Sequence, residues 1–355
     1  MTRVALLAAV LLLHGGGSPV RHLLYVVPDR SLDVYDIDHG NRLVRHVALP
    51  EAHAVRGVAV SPSTGMLYVG VGGNGGERGD GGIVAFDLRT RRVVWQRRYD
   101  SGVDGLGVSA DGRRLYVPVG EHTMDDRWRL VDAATGRVLG AIHAGPGPHN
   151  TVVVGQRAYL GPRNSRYLYV ASTRTNRIVR RVGPLLPGVR PFTVDTRRQR
   201  AYTTATGVLG FQVSSLRTGH VLQTIHLPGP RRGNPYGAPS HGIALTPDGR
   251  RVFVLDIPNA RVHVYDVSGR RAVPVAVVPL EHPLTGEEQP CGGDCGRAGW
   301  LMASLDGRSV YVGDSGDVIS TRTLRVTGFV PALANSRYPI EVDWQGGRPV
   351  RTGGR

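Results

Sequence analysis

The chain contains no lysine. All 44 of its basic residues are arginine, set against 28 acidic residues, for a formal net charge of +16. So uniform a choice reads as a bias of codon composition rather than selection for a partner, although the summed field favours anions. Groups such as Arg89, Arg91 and Arg92, or Arg197, Arg198 and Arg200, fall in turn segments. They form no basic helix or stripe, which excludes specific nucleic-acid binding. There are only two cysteines and no Cys-x-x-Cys-His, so covalent haem attachment is excluded. No Pro/Ser-rich linker interrupts the chain, and no apolar run is long enough to span a bilayer. No Gly-x-Ser-x-Gly, P-loop or dinucleotide fingerprint lies in a strand–turn–helix context, and the glycine-rich stretch Gly72 to Gly82 has no helix after it to cradle phosphate.

What is present is one pattern written about seven times. The clearest copy is His241-Gly-Ile-Ala-Leu-Thr-Pro-Asp-Gly-Arg-Arg-Val-Phe-Val-Leu-Asp256, followed by Arg261 to Val267, Ser268-Gly269 and the apolar run Ala272 to Leu280. Others begin near Arg56, Asp104 and Gly299, and looser ones at His149 and Arg190. Each holds four short apolar or alternating runs separated by turn residues, the pattern of a four-stranded antiparallel sheet. Repeats of roughly 40–50 residues of this kind indicate propeller blades. The first copy, Leu23–Val27 with Leu32–Asp36, lacks its innermost strand, and Tyr338–Asp343 supplies a matching one at the far end of the chain. The fold expected is therefore an all-β, seven-bladed β-propeller of four-stranded antiparallel blades, closed by a C-terminal strand that completes the first blade and removes its open edge.

Before it stands a leader: Arg3, an apolar run from Val4 to Leu13, and small residues from Gly15 to Ser18. That pattern has signal-peptide length. Residues 1–20 are read as a signal peptide and residues 21–355 as the propeller, exported to the periplasm or secreted and monomeric. Within Cys291-Gly-Gly-Asp-Cys295 the even pair is expected to form a disulfide. The alternative is a soft-metal site using Cys291, Cys295, His282 and Met302.

With strands A to D counted outward from the axis, the A–B and C–D turns are tight, while the B–C and D–A connections are long and variable. Both variable sets must emerge on the face where strand A begins, and function is expected there. Aligned at the start of strand A, the repeats place Arg56, Asp104, His149, Arg190, His241, Gly299 and Tyr338 around the mouth of the central channel. Asn150 and Trp300 adjoin this ring, and Glu341 lies deeper. Strand-B ends add Asp29, Glu121, His122, Arg163, Asp256 and Asp314, with His53 a weaker neighbour. The candidate ligand-binding residues are Arg56, Asp104, His149, Asn150, Arg190, His241, Trp300 and Tyr338. His149, His241 and Tyr338 are the candidates for proton transfer. A divalent metal could draw on His149, His241, His122 and Asp104. A ring of polar residues is also what any water-filled channel needs, so the bland reading stands beside the functional one.

The segments Leu67-Tyr-Val69, Leu115-Tyr-Val117 and Val310-Tyr-Val312 each follow an Asp-Gly or Thr-Gly turn. In this the repeats resemble the YVTN-type propeller family across nearly the whole mature chain. That broad group is similar to surface-layer, lactonase-like, quinoprotein amine dehydrogenase and haem nitrite reductase propellers. The resemblance implies the scaffold only, because one fold hosts many activities. The tryptophan docking motifs of quinoprotein alcohol dehydrogenases are absent. Two functions are expected: an exported propeller binding a small anionic ligand or a protein partner at the channel mouth, or a hydrolase or lyase acting there on a lactone or anionic sugar. In the second, Arg56 and Arg190 would clamp a carboxylate, His149 or His241 would move the proton, and a metal could polarise the carbonyl.

Overall fold

The Asp-Gly turns set the geometry of each blade. In Ser109–Gly112, Thr246–Gly249 and Ser304–Gly307 the hydroxyl donates to the aspartate two residues on at 2.6 Å. The same carboxylate oxygen accepts the backbone N–H of Arg113, Arg250 or Arg308. The glycine then takes a φ of +70 to +72°, a left-handed conformation that strains any residue with a Cβ. This compact knot reverses the chain between strands A and B. The C–D turns are tied similarly, Asp87 accepting from the N–H groups of Arg89 and Thr90.

A computed structural model describes residues 18–72, 81–229, 237–286 and 296–353. Residues 1–17 of the proposed leader, Cys291 and Cys295 lie outside the described residues. Strands assemble into seven antiparallel sheets arranged as a seven-bladed propeller. Their innermost strands are Val55–Ser61 in blade 2, Gly107–Val108 in blade 3, Pro148–Val154 in blade 4 and Val189–Asp195 in blade 5. Ile243–Leu245, Trp300–Ala303 and Pro339–Gln345 serve blades 6, 7 and 1. Closure is as the sequence indicates: Arg21–Val26 pairs antiparallel with Pro339–Gln345, Leu23 opposite Val342 and Tyr25 opposite Ile340.

One strand was not expected. Arg348–Gly353 pairs with Pro339–Gln345 on its inner side, making the first sheet five-stranded. The two chains are joined by Gly346 and Gly347, with φ of 57° and 75°, a two-residue hairpin that only permissive residues form readily. Thr352 and Gly353 thereby lie inside the channel near its tight-turn end. They line two separate cavities of about 260 and 380 Å³, one against blades 5, 6 and 7, the other against blades 2, 3 and 4.

The core sits between the blades. Seven clusters of buried apolar side chains form, one at each seam. Each draws on the same strand-B position, occupied by Tyr25, Tyr68, Tyr116, Tyr159, Tyr202, Phe253 and Tyr311, all buried. Among the described residues no helix is long and apolar enough to cross a membrane. The soft-metal alternative loses its remaining partners. Met302 is packed into the blade 7–blade 1 core, whereas His282 stacks on Phe329 in the outermost strand of blade 7 and is held by Asp317 at 2.6 Å. Asp317 holds His282 at strand C, two strand spacings or about 10 Å from the strand of Met302, too far for one ion.

Candidate functional site

The ring residues reach the axis because strand A is irregular where they stand. In blades 2, 4 and 5 the A–B pairing slips by one residue at Arg56, at His149 and across Arg190–Pro191. A bulge of this kind leaves one residue unpaired and re-aims its side chain. The extra residue is Arg56 in blade 2 and His149 in blade 4, and in blade 5 it falls within Arg190–Pro191, so three blades deliver their polar groups at the same irregularity.

These side chains converge on Glu121, which follows strand B of blade 3. Its Oε1 accepts from Arg163 Nη1 at 2.9 Å and from Arg190 Nη1 at 3.4 Å, and lies 3.4 Å from His149 Nδ1. Its Oε2 is 3.7 Å from Arg56 Nη2 and 3.5 Å from His122 Nε2. Burial opposes ionisation of Glu121, but His149, Arg56, Arg163 and Arg190 overcome it and hold the carboxyl well below the usual glutamate range. Arg190 is buried, which lowers its pKa to about 10 against the pull of Glu121. It remains a cation at neutral pH.

His149 and Asp104 form a buried pair, Nδ1 to Oδ2 at 2.6 Å, and Asp104 Oδ1 accepts the N–H of Gly105. With Nδ1 paired to Asp104, Nε2 of His149 is buried and has no hydrogen-bond partner. Nη2 of Arg190 and both amide atoms of Asn150 are likewise buried without one. Leaving such atoms unmatched costs about 1–3 kcal/mol each, so these four are free to form hydrogen bonds with a ligand or with water.

The rest of the ring is aromatic. His241 lies 5.8 Å from His149 and 5.6 Å from Trp300, ring centre to ring centre, and Trp300 lies 5.1 Å from Tyr338. His241 Nδ1 donates to Gly299 O at 3.2 Å. Burial first, then Arg337, His149 and Arg190, push its pKa well below the usual histidine value. It is therefore neutral in the folded protein where the unfolded chain would be protonated, so its contribution to stability is present above about pH 6.5 and is lost as the pH falls. The His241→Gln variant is expected to lose less stability than wild type between pH 6.5 and 5, by about 1 kcal/mol or more, since one unit of pH carries about 1.4 kcal/mol. Urea melts at several pH values would read this; parallel wild-type and variant curves would refute it.

All eight sequence-predicted ligand-binding residues are thus brought to one end of the channel and buried. Glu121, Arg163 and Asp314, foreseen only as a surrounding shell, are central to it. Arg337 was missed: its Nε lies 3.5 Å from Asp314 Oδ2, its Nη2 donates to Gly296 O, and its guanidinium faces the Tyr338 ring. Asp256 does not join, being engaged by Asn259, Arg261 and His263 of its own blade. Nor do Asp29 and His53, which pair with each other at the half-exposed rim.

Asp104, Glu121 and His149 place ligand-type atoms within 4.8 Å of one another, the spacing of a metal site. His241 stands outside that group, and His122 lies against Arg163. Three guanidinium groups pair with Glu121, so a divalent cation there would meet more repulsion than attraction. The donor set does not fit a cation. It fits an anion.

No family model matches the chain, and no curated protein matches it in sequence. Solved propellers do match in shape. The dihydro-haem d1 dehydrogenase NirN, solved in complex with DHE, superposes with a TM-score of 0.61 at 15% identity, over 94% of this chain and 73% of that one. The WD40 repeats of RRP9 give a TM-score of 0.61 at 12% identity, over 82% and 83%. At such identities the likeness is one of fold, and it supports membership of the broad β-propeller group.

Proposed function

We propose that the protein is an exported propeller that binds a small anionic molecule, a carboxylate by preference, at the variable-loop end of its channel. The observation that carries this reading is the unmatched, buried Nη2 of Arg190 beside the unmatched Nε2 of His149, both groups anchored to the same oxygen of Glu121. A guanidinium edge and an imidazole nitrogen are complementary to a carboxylate and the hydroxyl next to it. A panel of sugar acids, hydroxy acids and lactones, with neutral sugars as controls, should give thermal shifts for the acids alone. For the best of them Arg190→Ala should weaken binding about ten- to a hundredfold, corresponding to the roughly 1.5–3 kcal/mol of a charge-assisted hydrogen bond. Arg198→Ala, at the opposite face, should leave it unchanged. Equal affinity in both variants would sink the reading.

A hydrolase or lyase remains the second reading, favoured by the Asp104–His149 pair. The carboxylate fixes the imidazole tautomer and leaves Nε2 positioned as a general base. In the same panel His149→Gln would then abolish turnover while leaving affinity for the acid nearly intact. A loss confined to affinity would assign His149 to binding alone. Export rests on the leader pattern, and recovery of the protein in the cytoplasm alone, with residues 1–20 still attached, would overturn it.

A further inference from the structure

A second group of metal-ligating side chains lies far from the channel mouth, at the seam between blades 7 and 1. His22 is the second residue of strand B of blade 1, and Glu341 and Asp343 lie on the adjoining strand A, with His22 directly opposite Asp343. Nδ1 of His22 is 2.7 Å from Asp343 Oδ1 and 3.8 Å from Glu341 Oε1. One ligand atom from each residue falls within 4.8 Å of the others. In a tetrahedral site with bonds near 2.0–2.1 Å the ligand atoms stand about 3.3 Å apart, a value the two measured separations straddle.

Two features separate this group from the one around Glu121. Among the described residues, no arginine forms a hydrogen bond or ion pair with His22, Glu341 or Asp343, in a chain with 44 arginines. Asp38 adds further negative charge, its Oδ2 accepting the N–H of His22. The carboxylate of Glu341 is also half committed. Its Oε2 accepts the N–H of Leu305 at 2.6 Å, which leaves Oε1 to face His22, 3.8 Å from Nδ1. The His22 side chain keeps a route to solvent at 29% exposure.

We propose that His22, Glu341 and Asp343 form a binding site for a first-row divalent cation, of the Zn2+ class, across the seam where the ring is closed. One imidazole nitrogen and two carboxylate oxygens suit such an ion better than Ca2+ or Mg2+, which take all-oxygen sets. The ion stitches the N-terminal strand Arg21–Val26 to the C-terminal strand Pro339–Gln345 at its solvent-reachable end. It binds only the closed ring and so stabilises it by mass action.

The test uses the full chain carrying Cys291→Ser and Cys295→Ser, so that thiols do not compete, stripped of metal with a chelator and titrated with Zn2+ by calorimetry. One Zn2+ per chain is expected, together with a rise in melting temperature. Adding His22→Gln should weaken binding at least tenfold and abolish the thermal shift, whereas His149→Gln should leave both unchanged. Asp343→Asn is the second variant, and it should act like His22→Gln. No stoichiometric uptake, or uptake that survives His22→Gln, would overturn the site. So would uptake lost in His149→Gln and kept in His22→Gln, because the ion would then belong to the channel mouth. None of these outcomes bears on anion binding through Arg190.

Discussion

A chain ended at Ser336 is expected not to fold cooperatively, while one ended at Gln345 still forms a closed ring. The first truncation removes the strand that pairs with Arg21–Val26 and withdraws Tyr338, Ile340 and Val342 from the core shared by blades 1 and 2. Burying a large apolar side chain contributes about 1.5–3 kcal/mol. Three of them rival the whole net stability of a domain, about 5–15 kcal/mol. The unpaired edge left behind is also a template for aggregation. The second truncation removes only Arg348–Gly353, which forms no seam between blades. Circular dichroism melts of the two proteins decide the matter. A 336-residue chain that melts like the full one would mean the ring does not depend on its last strand.

Replacing Glu121 with alanine is expected to be the most damaging single change at the channel mouth. It strips the shared counter-charge from Arg56, Arg163 and Arg190. Breaking a buried charge pair by removing one partner costs about 3–5 kcal/mol. Its pH dependence has a definite sign. Because the folded carboxyl titrates well below its ordinary value, its stabilisation is present above the unfolded pKa, about 4.3, and is lost as the pH falls towards the folded one. Wild type and Glu121→Ala should therefore differ most near neutrality and converge in acid. Adding Arg190→Met should recover part of the loss, since neighbours in one network couple by about 0.5–3 kcal/mol. A difference below 1 kcal/mol at pH 7 in urea unfolding would refute the hub role.

The fold could be read from the chain because its signals are local and repeated. The Asp-Gly turns, the tyrosine of strand B and the missing first strand each recur or stand out against the other copies, and all three reappear as structure. The membership of the channel mouth was legible through register, since a shared position in seven repeats becomes a shared height on one axis. What was not legible depends on contacts between blades. Glu121 reads as one acid in a dense loop, and only the approach of three arginines from blades 2, 4 and 5 makes it a hub. The bulges at Arg56, His149 and Arg190 leave no mark in composition. Arg337 stands one residue before the aligned register, so the alignment passed over it. The inner strand Arg348–Gly353 has a single large apolar side chain, Val350, and its sequence reads as a polar tail.

That inner strand changes what the axis of the molecule is. With Thr352 and Gly353 lodged between two cavities of about 380 and 260 Å³, the bore is divided by the chain's own backbone. At the tight-turn face the molecule therefore presents two alcoves, one on either side of that strand, in place of one open bore.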